Sequence, residues 1–172
     1  QYHLDRPAIE QWALVLWDLV TLRGQPSMTY RDGNVIHDIL APAFPVSLSL
    51  GLLALSLALL IGIAAGTWSA VRRYGVSDHA ITGVALLGIS LPSFVIASML
   101  IMIFAFWLRI FPAGGWGRWD QLVLPALALA AFPAAYIARL TRNSMLDILP
   151  ADFVRVARCK GLPGGQVILL HA

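Results

Sequence analysis

The sequence predicts an all-α, polytopic membrane protein with three transmembrane helices, because of its composition and its three long uncharged runs. Hydrophobic residues make up 59% of the 172 residues and charged residues only 12%, whereas soluble domains carry about 25% charged residues. The uncharged runs contain 33, 30 and 18 residues. A run of about 20 apolar residues can cross a bilayer as a helix, which satisfies its own backbone hydrogen bonds there. A soluble protein with buried helices is disfavoured, since such helices rarely stay uncharged for so long.

Three spans are predicted, over residues 45–71, 79–108 and 121–140. The first stops at the charged pair that begins with Arg72. The second contains Pro92, which we expect to kink the helix near its middle because proline lacks a backbone N–H. Its small residues Gly83 and Gly88 would let neighbouring helices approach closely. Residues 111–117 are too rich in glycine and proline for a helix and predict a turn before the third span.

The positive charges predict how the chain is oriented. The loop 72–78 and the segment 139–172 hold seven Lys and Arg residues, and the segments 1–42 and 109–120 hold five. Cytoplasmic loops carry the excess of such residues, and apolar residues at helical spacing around Trp12 predict one short external helix. An external first segment without a visible signal also leads us to expect an earlier span upstream. The predicted divisions are an extracytoplasmic segment, 1–42, a transmembrane domain, 43–140, and a cytoplasmic coupling loop, 141–172.

Few residues suggest chemistry. The histidines are scattered, at His3, His37, His79 and His171, and the single Cys159 cannot form an internal disulfide. We therefore predict no catalytic residue and no metal site. No phosphate-binding loop with its lysine is present. The net charge of +3 is explained by cytoplasmic arginines, so nucleic acid is not an expected partner.

The most informative segment is 150–161, which has the signals of a short capped helix. Pro150 suits a first helical turn, Asp152 favours the positive N-terminal end, and basic residues such as Arg158 favour the negative C-terminal end. Gly161 can take the left-handed conformation that closes a helix. Spacing places Phe153 and Val154 on one apolar side with Ala157, and places the arginines on a basic side. It leaves open whether the helix lies on anionic lipid or binds a protein.

A resemblance favours the second possibility. Residues 151–162, ADFVRVARCKGL, preceded by 136–145, YIARLTRNSM, resemble the cytoplasmic signature of binding-protein-dependent ABC importer permeases. The similarity is to the oligopeptide, dipeptide and nickel branch, in its B-type subunit. Residues 88–94 and 48–65 also match that branch. The resemblance covers nearly the whole chain and implies an incomplete type I ABC importer permease, with further spans on both sides.

The resemblance implies that the 150–161 helix is the coupling helix, which docks on an ATP-hydrolysing subunit. Ala157 and Gly161 fall on the small residue and the glycine of the family's Glu-Ala-Ala-x-x-x-Gly loop, whereas Arg155 stands at the leading glutamate position. An acid-based contact is therefore not expected. The implied coupling residues are Ala151, Asp152, Phe153, Arg155, Ala157, Arg158, Lys160 and Gly161.

The implied function is that of a permease subunit of an ATP-driven importer in the bacterial cytoplasmic (inner) membrane. It would form part of the path for peptides, nickel or a similar small solute, and substrate residues stay unassigned. The chain itself is not expected to be an enzyme or to hold a cofactor, because ATP and Mg would bind the partner ATPase. The expected partners are a second permease subunit, ATP-binding subunits, an extracytoplasmic solute-binding protein and membrane lipid. A membrane-embedded enzyme and a nonfunctional or regulatory permease fragment remain alternatives.

Overall fold

The computed structural model describes residues 7–21 and 36–172. Within those two ranges every regular element is a helix, so the predicted all-α class is confirmed. A π-helical segment, Ile101–Trp107, continues the fourth helix. The α-helices are α1 (Ala8–Val20), α2 (Ile36–Val71), α3 (Val76–Ser90), α4 (Ser93–Leu100), α5 (Trp119–Ile148), α6 (Asp152–Cys159) and α7 (Gly164–His171).

Two helices, α2 and α5, are each long and apolar enough to cross a membrane. The predicted span 79–108 differs from a single kinked helix, because α3 and the segment from Ser93 to Trp107 are bent by 113° where they meet. Leu91 is extended, with ψ at 133°, as expected for a residue that precedes proline. The expected kink at Pro92 is thus a full helix break, and the two halves together would make a third, bent span.

The chain divides into two compact units, residues 1–49 and 50–172. The first unit contains α1, so the short helix predicted around Trp12 is confirmed. Trp12 and Trp17 are both exposed within this unit. Helix α2 begins in the first unit and continues into the second. Part of the predicted extracytoplasmic segment, together with His3, lies outside the described residues.

Small residues line the contact between α2 and α5 in the second unit. Ala54 and Ala58 are buried against Ala130 and Ala134. A methyl group added at Gly62 would lie 2.8 Å from the Cβ of Ile137. The two backbones therefore approach closely because every fourth residue of α2 is small, the arrangement common between membrane helices.

The next small residue of this series, Gly66, allows the closest approach. A methyl group there would overlap the carbonyl oxygen of Ala138. Of the two glycines that we expected at helix contacts, Gly88 does face α5, where an added methyl would lie 3.0 Å from the Ala135 Cβ. Gly83 has open space beside it, so the described residues make no close contact there and the expectation for that residue stays a prediction.

The predicted turn over residues 111–117 is present between the π-helical segment and α5. Gly115 and Gly117 both have positive φ, at 120° and 107°. Residues with a Cβ rarely adopt these backbone angles. Helix α5 then begins at Trp119, and the Gln121 side chain accepts a hydrogen bond of 3.1 Å from the Arg118 backbone N–H. The turn thus returns the chain to a second membrane-length helix.

Candidate functional site

Helix α6 is held at the end of α5 by a small apolar core. Val154 and Ala157 are buried together with Val167 of α7. Ile148, the last residue of α5, and Leu162 pack against them. The predicted apolar side is therefore confirmed for Val154 and Ala157, and it faces α7, an element that the sequence did not predict. The placement of Phe153 on that side is wrong, because Phe153 is exposed.

The opposite side of α6 is exposed and carries both apolar and charged groups. Phe153 is 55% exposed and Val156 52% exposed, one turn apart. Arg155 and Arg158 are also exposed, and the Arg155 Nη1 lies 3.7 Å from an Asp152 carboxylate oxygen. An exposed pair of this kind adds little stability. The surface is therefore open to contact with another molecule, and we call these five residues the exposed α6 face.

The predicted ends of this helix agree with the structure at most positions. Asp152 is its first residue and Arg158 lies in its last turn. Gly161 has φ at +78°, so its predicted left-handed conformation is confirmed. The predicted position of Pro150 is wrong, because this residue lies in the turn before α6 and not in the first helical turn. The reason is that Ala151 is the extended N-cap residue, with ψ at 149°.

The residues that the resemblance implies for coupling fall into two groups. Phe153, Arg155, Arg158 and Lys160 are exposed, whereas Ala157 is buried under the helix. Ala157 therefore packs against its own chain, and its side chain is not part of the exposed α6 face. Ala151 and Gly161 flank the helix on either side, and the docking role of the whole set remains a prediction.

A buried ion pair, which the sequence did not reveal, lies where α2, α3 and α5 meet. Asp78, at the start of α3, is only 3% exposed. Its two carboxylate oxygens accept hydrogen bonds from Arg142 Nε at 2.7 Å and Nη2 at 2.8 Å. The hydroxyl of Ser69, near the end of α2, donates to the same carboxylate. The pair joins residues 64 positions apart, and such a distant match leaves no periodic signal in a sequence.

The same carboxylate also holds the turn between α2 and α3. The backbone N–H of Tyr74 donates to Asp78 Oδ2 at 2.9 Å. Tyr74 has φ at +62°, a left-handed conformation that non-glycine residues adopt at a cost. Each of the two carboxylate oxygens therefore accepts at least two hydrogen bonds, as a buried charge requires.

An apolar hollow of about 700 Å³ lies between α3, α4 and α5. Its walls are made of Ala, Ile, Leu, Val, Met, Phe and Gly side chains, including Val84, Met99 and Phe104. The residues that line it are all apolar. Ser56 of α2 and Ser98 of α4 donate to backbone carbonyls of their own helices at 2.8 Å.

These features define a helical membrane protein with a short exposed helix fixed at the end of a membrane-length helix. Residues 58–172 match the family described as binding-protein-dependent transport system inner membrane component. The match covers more than half of the chain, and the chain belongs to this family. The exposed α6 face and the Asp78–Arg142 pair both lie within the matched residues.

Three relatives are similar over the whole chain. The dipeptide transport system permease protein DppB of Bacillus subtilis is 42% identical over 171 residues, which cover 99% of this chain and 55% of the relative. The oligopeptide transport system permease protein OppB of Escherichia coli K12 is 41% identical over 174 residues, covering 100% of this chain and 56% of the relative. DppB of Lactococcus lactis is 36% identical, with 99% and 56% covered. The chain thus spans about half the length of the curated relatives it matches.

Proposed function

We propose that this chain is part of the permease subunit of an ATP-driven peptide importer in the bacterial cytoplasmic membrane. Family membership and the similarity to dipeptide and oligopeptide permeases support this function. The observation that carries it is the exposed α6 face. Phe153 stands out from a helix whose other side is fixed to α5 and α7, which is what a rigid docking element requires.

In this proposal, an ATP-binding subunit docks on the exposed α6 face. ATP and Mg bind that separate subunit, and the present chain contributes no catalytic group. Movement of the docked subunit would reach the membrane helices through contact, since the last residue of α5 packs against the core that α6 shares with α7. A second permease subunit completes the path, and an extracytoplasmic solute-binding protein delivers the peptide.

Cys159 allows a direct test of topology and docking. It is the only cysteine of the chain and is exposed at the end of α6. A membrane-impermeant maleimide should label it only after cells are permeabilised, and the bound ATP-binding subunit should slow that labelling. Labelling in intact cells would place α6 outside the cytoplasm and would refute the importer function.

Phe153 allows a test of affinity. Replacing Phe153 with alanine should weaken binding of the ATP-binding subunit by about tenfold, because exposed aromatic residues often carry much of an interface's binding energy. The matched control is Phe132→Ala, since Phe132 on α5 is exposed to nearly the same degree, 52% against 55%. Binding is measured with the complete membrane complex in lipid nanodiscs. Equal affinities for the two variants would contradict docking on this face.

A further inference from the structure

The Asp78–Arg142 pair joins α3 to α5, the helix whose last residue packs against the core under α6, and it lies outside the exposed α6 face. The pair is bidentate, with 2.7 and 2.8 Å hydrogen bonds, and both residues are largely covered, with side-chain exposures of 4% for Asp78 and 23% for Arg142. Ser69 and the Tyr74 backbone complete its shell. One carboxylate therefore holds the end of α2, the following turn and α5 together.

Arg142 lies on α5 close to the end that packs near α6. Arg142 precedes Ile148, the last residue of α5, by six residues, or about 9 Å along a helix. Met145, halfway between them, is buried. Ile148 then packs against Val154 and Ala157 of α6. Helix α5 itself therefore connects the core that contains α6 to Arg142, and through Arg142 to Asp78 of α3.

The pair is one of several contacts in this region, since Arg142 Nε also donates to the Ser69 hydroxyl at 3.1 Å. Near it, α2 and α5 touch through Gly66 and Ala138, a contact between small groups that opposes collision but does not resist separation or sliding. A paired fork of two hydrogen bonds fixes both distance and rotation. The ion pair therefore fixes the relative orientation of the helices as well as their distance.

We propose that Asp78 and Arg142 are positioning residues that transmit movement of α6 to α2 and α3, so that ATP hydrolysis is coupled to opening of the permease. This inference rests on the proposed function. It concerns neither the ATP site nor the docking surface, and it predicts that docking persists when the pair is altered. What should be lost is the yield of transport for each ATP that is hydrolysed.

The test uses the complete transporter in proteoliposomes, with ATP hydrolysis and peptide uptake measured in the same vesicles. Three variants alter the pair: Asp78→Asn, Arg142→Lys, and the exchange of Asp78→Arg with Arg142→Asp. Arg142→Lys keeps the charge but loses the planar fork. The matched control is Asp120→Asn. Arg118 and Asp120 form a similar ion pair, at 2.8 Å, but in a more exposed position at the start of α5.

The expected result is about a tenfold fall in peptide taken up per ATP for Asp78→Asn and Arg142→Lys, within the range typical of coupling between sites. Binding of the ATP-binding subunit should stay unchanged, the control should behave like the wild type, and the exchange variant should recover part of the yield. An unchanged yield in assembled Asp78→Asn and Arg142→Lys would overturn the proposal. Failure of all three variants to assemble would overturn it too, in favour of a purely structural pair.

A wild-type complex that takes up no peptide with ATP would instead refute the proposed function. The two failures are therefore distinguishable, because the first requires a working wild-type transporter.

Discussion

Two glycines, in two regions of the second unit, have different reasons to be glycine. Gly66, in the contact between α2 and α5, has ordinary helical geometry and no room for a side chain. Gly161, between α6 and α7, has open space around it but a φ of +78°. The first region is stabilised by close backbone approach and the second by a few buried aliphatic residues with a special turn. Substitutions should therefore act through collision in one region and through cavities and strain in the other.

The largest effect is expected at Gly66. Gly66→Val would push a side chain into the Ala138 carbonyl and the Thr141 Cβ, 2.7 Å from the new Cβ, and should destabilise the protein by about 3 kcal/mol, the upper end of the usual cost of overpacking. The measurement is unfolding of the purified protein in mixed detergent micelles. Gly51→Val on the same helix is the control, because nothing lies within 4 Å of that position. Equal losses in the two variants would show that helix propensity, and not collision, is responsible.

A smaller loss is expected in the core under α6. Val154 is fully buried, so Val154→Ala should destabilise the protein by about 2 kcal/mol, because two buried methyl groups are lost and a cavity is left. Val156→Ala on the exposed side of the same helix should have little effect. If Val156→Ala were the less stable variant in the assembled complex, Val156 would contribute more buried surface there than Val154. That outcome would support contact with a docked partner over the core described here.

Strain should dominate at Gly161. Gly161→Val should lower the free energy of unfolding by about 1–2 kcal/mol, because a residue with a Cβ is penalised in the left-handed region. We also expect it to uncouple ATP hydrolysis from uptake, by changing the backbone path at the end of α6. Gly165→Val is the matched control, since it also has open space but no positive φ. Hydrolysis and uptake are assayed together in proteoliposomes. Normal uptake per ATP in the Gly161 variant would count against α6 as the coupling helix.

The smallest effect on stability is expected on the exposed α6 face. Arg155→Glu should leave the unfolding midpoint unchanged, because the Arg155–Asp152 pair is exposed and long, at 3.7 Å. Binding of the ATP-binding subunit should nevertheless change, and its dependence on salt should change with it. The control is Arg118→Glu, an exposed arginine in another part of the chain. Unchanged binding and salt dependence would remove Arg155 from the docking surface.

Local patterns predicted much of the fold. The uncharged runs predicted α2 and α5, the glycine- and proline-rich segment predicted the turn before α5, and the charges around Asp152 and Arg158 predicted α6. These features depend on residues close together in the chain. Helix α7 was not predicted, because the segment 164–171 is short and begins with two glycines, although Pro163 provides its N-cap.

The candidate site was predicted only in part. The resemblance placed the coupling residues on one short helix, but it could not separate exposed Phe153 from buried Ala157, since that depends on where α7 packs. The small residues of α2 that permit the α5 contact were not predicted to do so, although at every fourth position they are visible in the sequence. Their partner helix is not, because periodicity identifies a face and not what covers it.

The sequence by itself determined the class of protein, the membrane-length helices, and the left-handed glycine that ends α6. Each follows from local hydrophobicity, charge or backbone freedom. Only the tertiary structure decided the 113° break at Pro92 and the pairing of Asp78 with Arg142 across 64 residues. A charge carries no label for its partner, and a proline predicts a break without its angle, so both depend on how the helices pack.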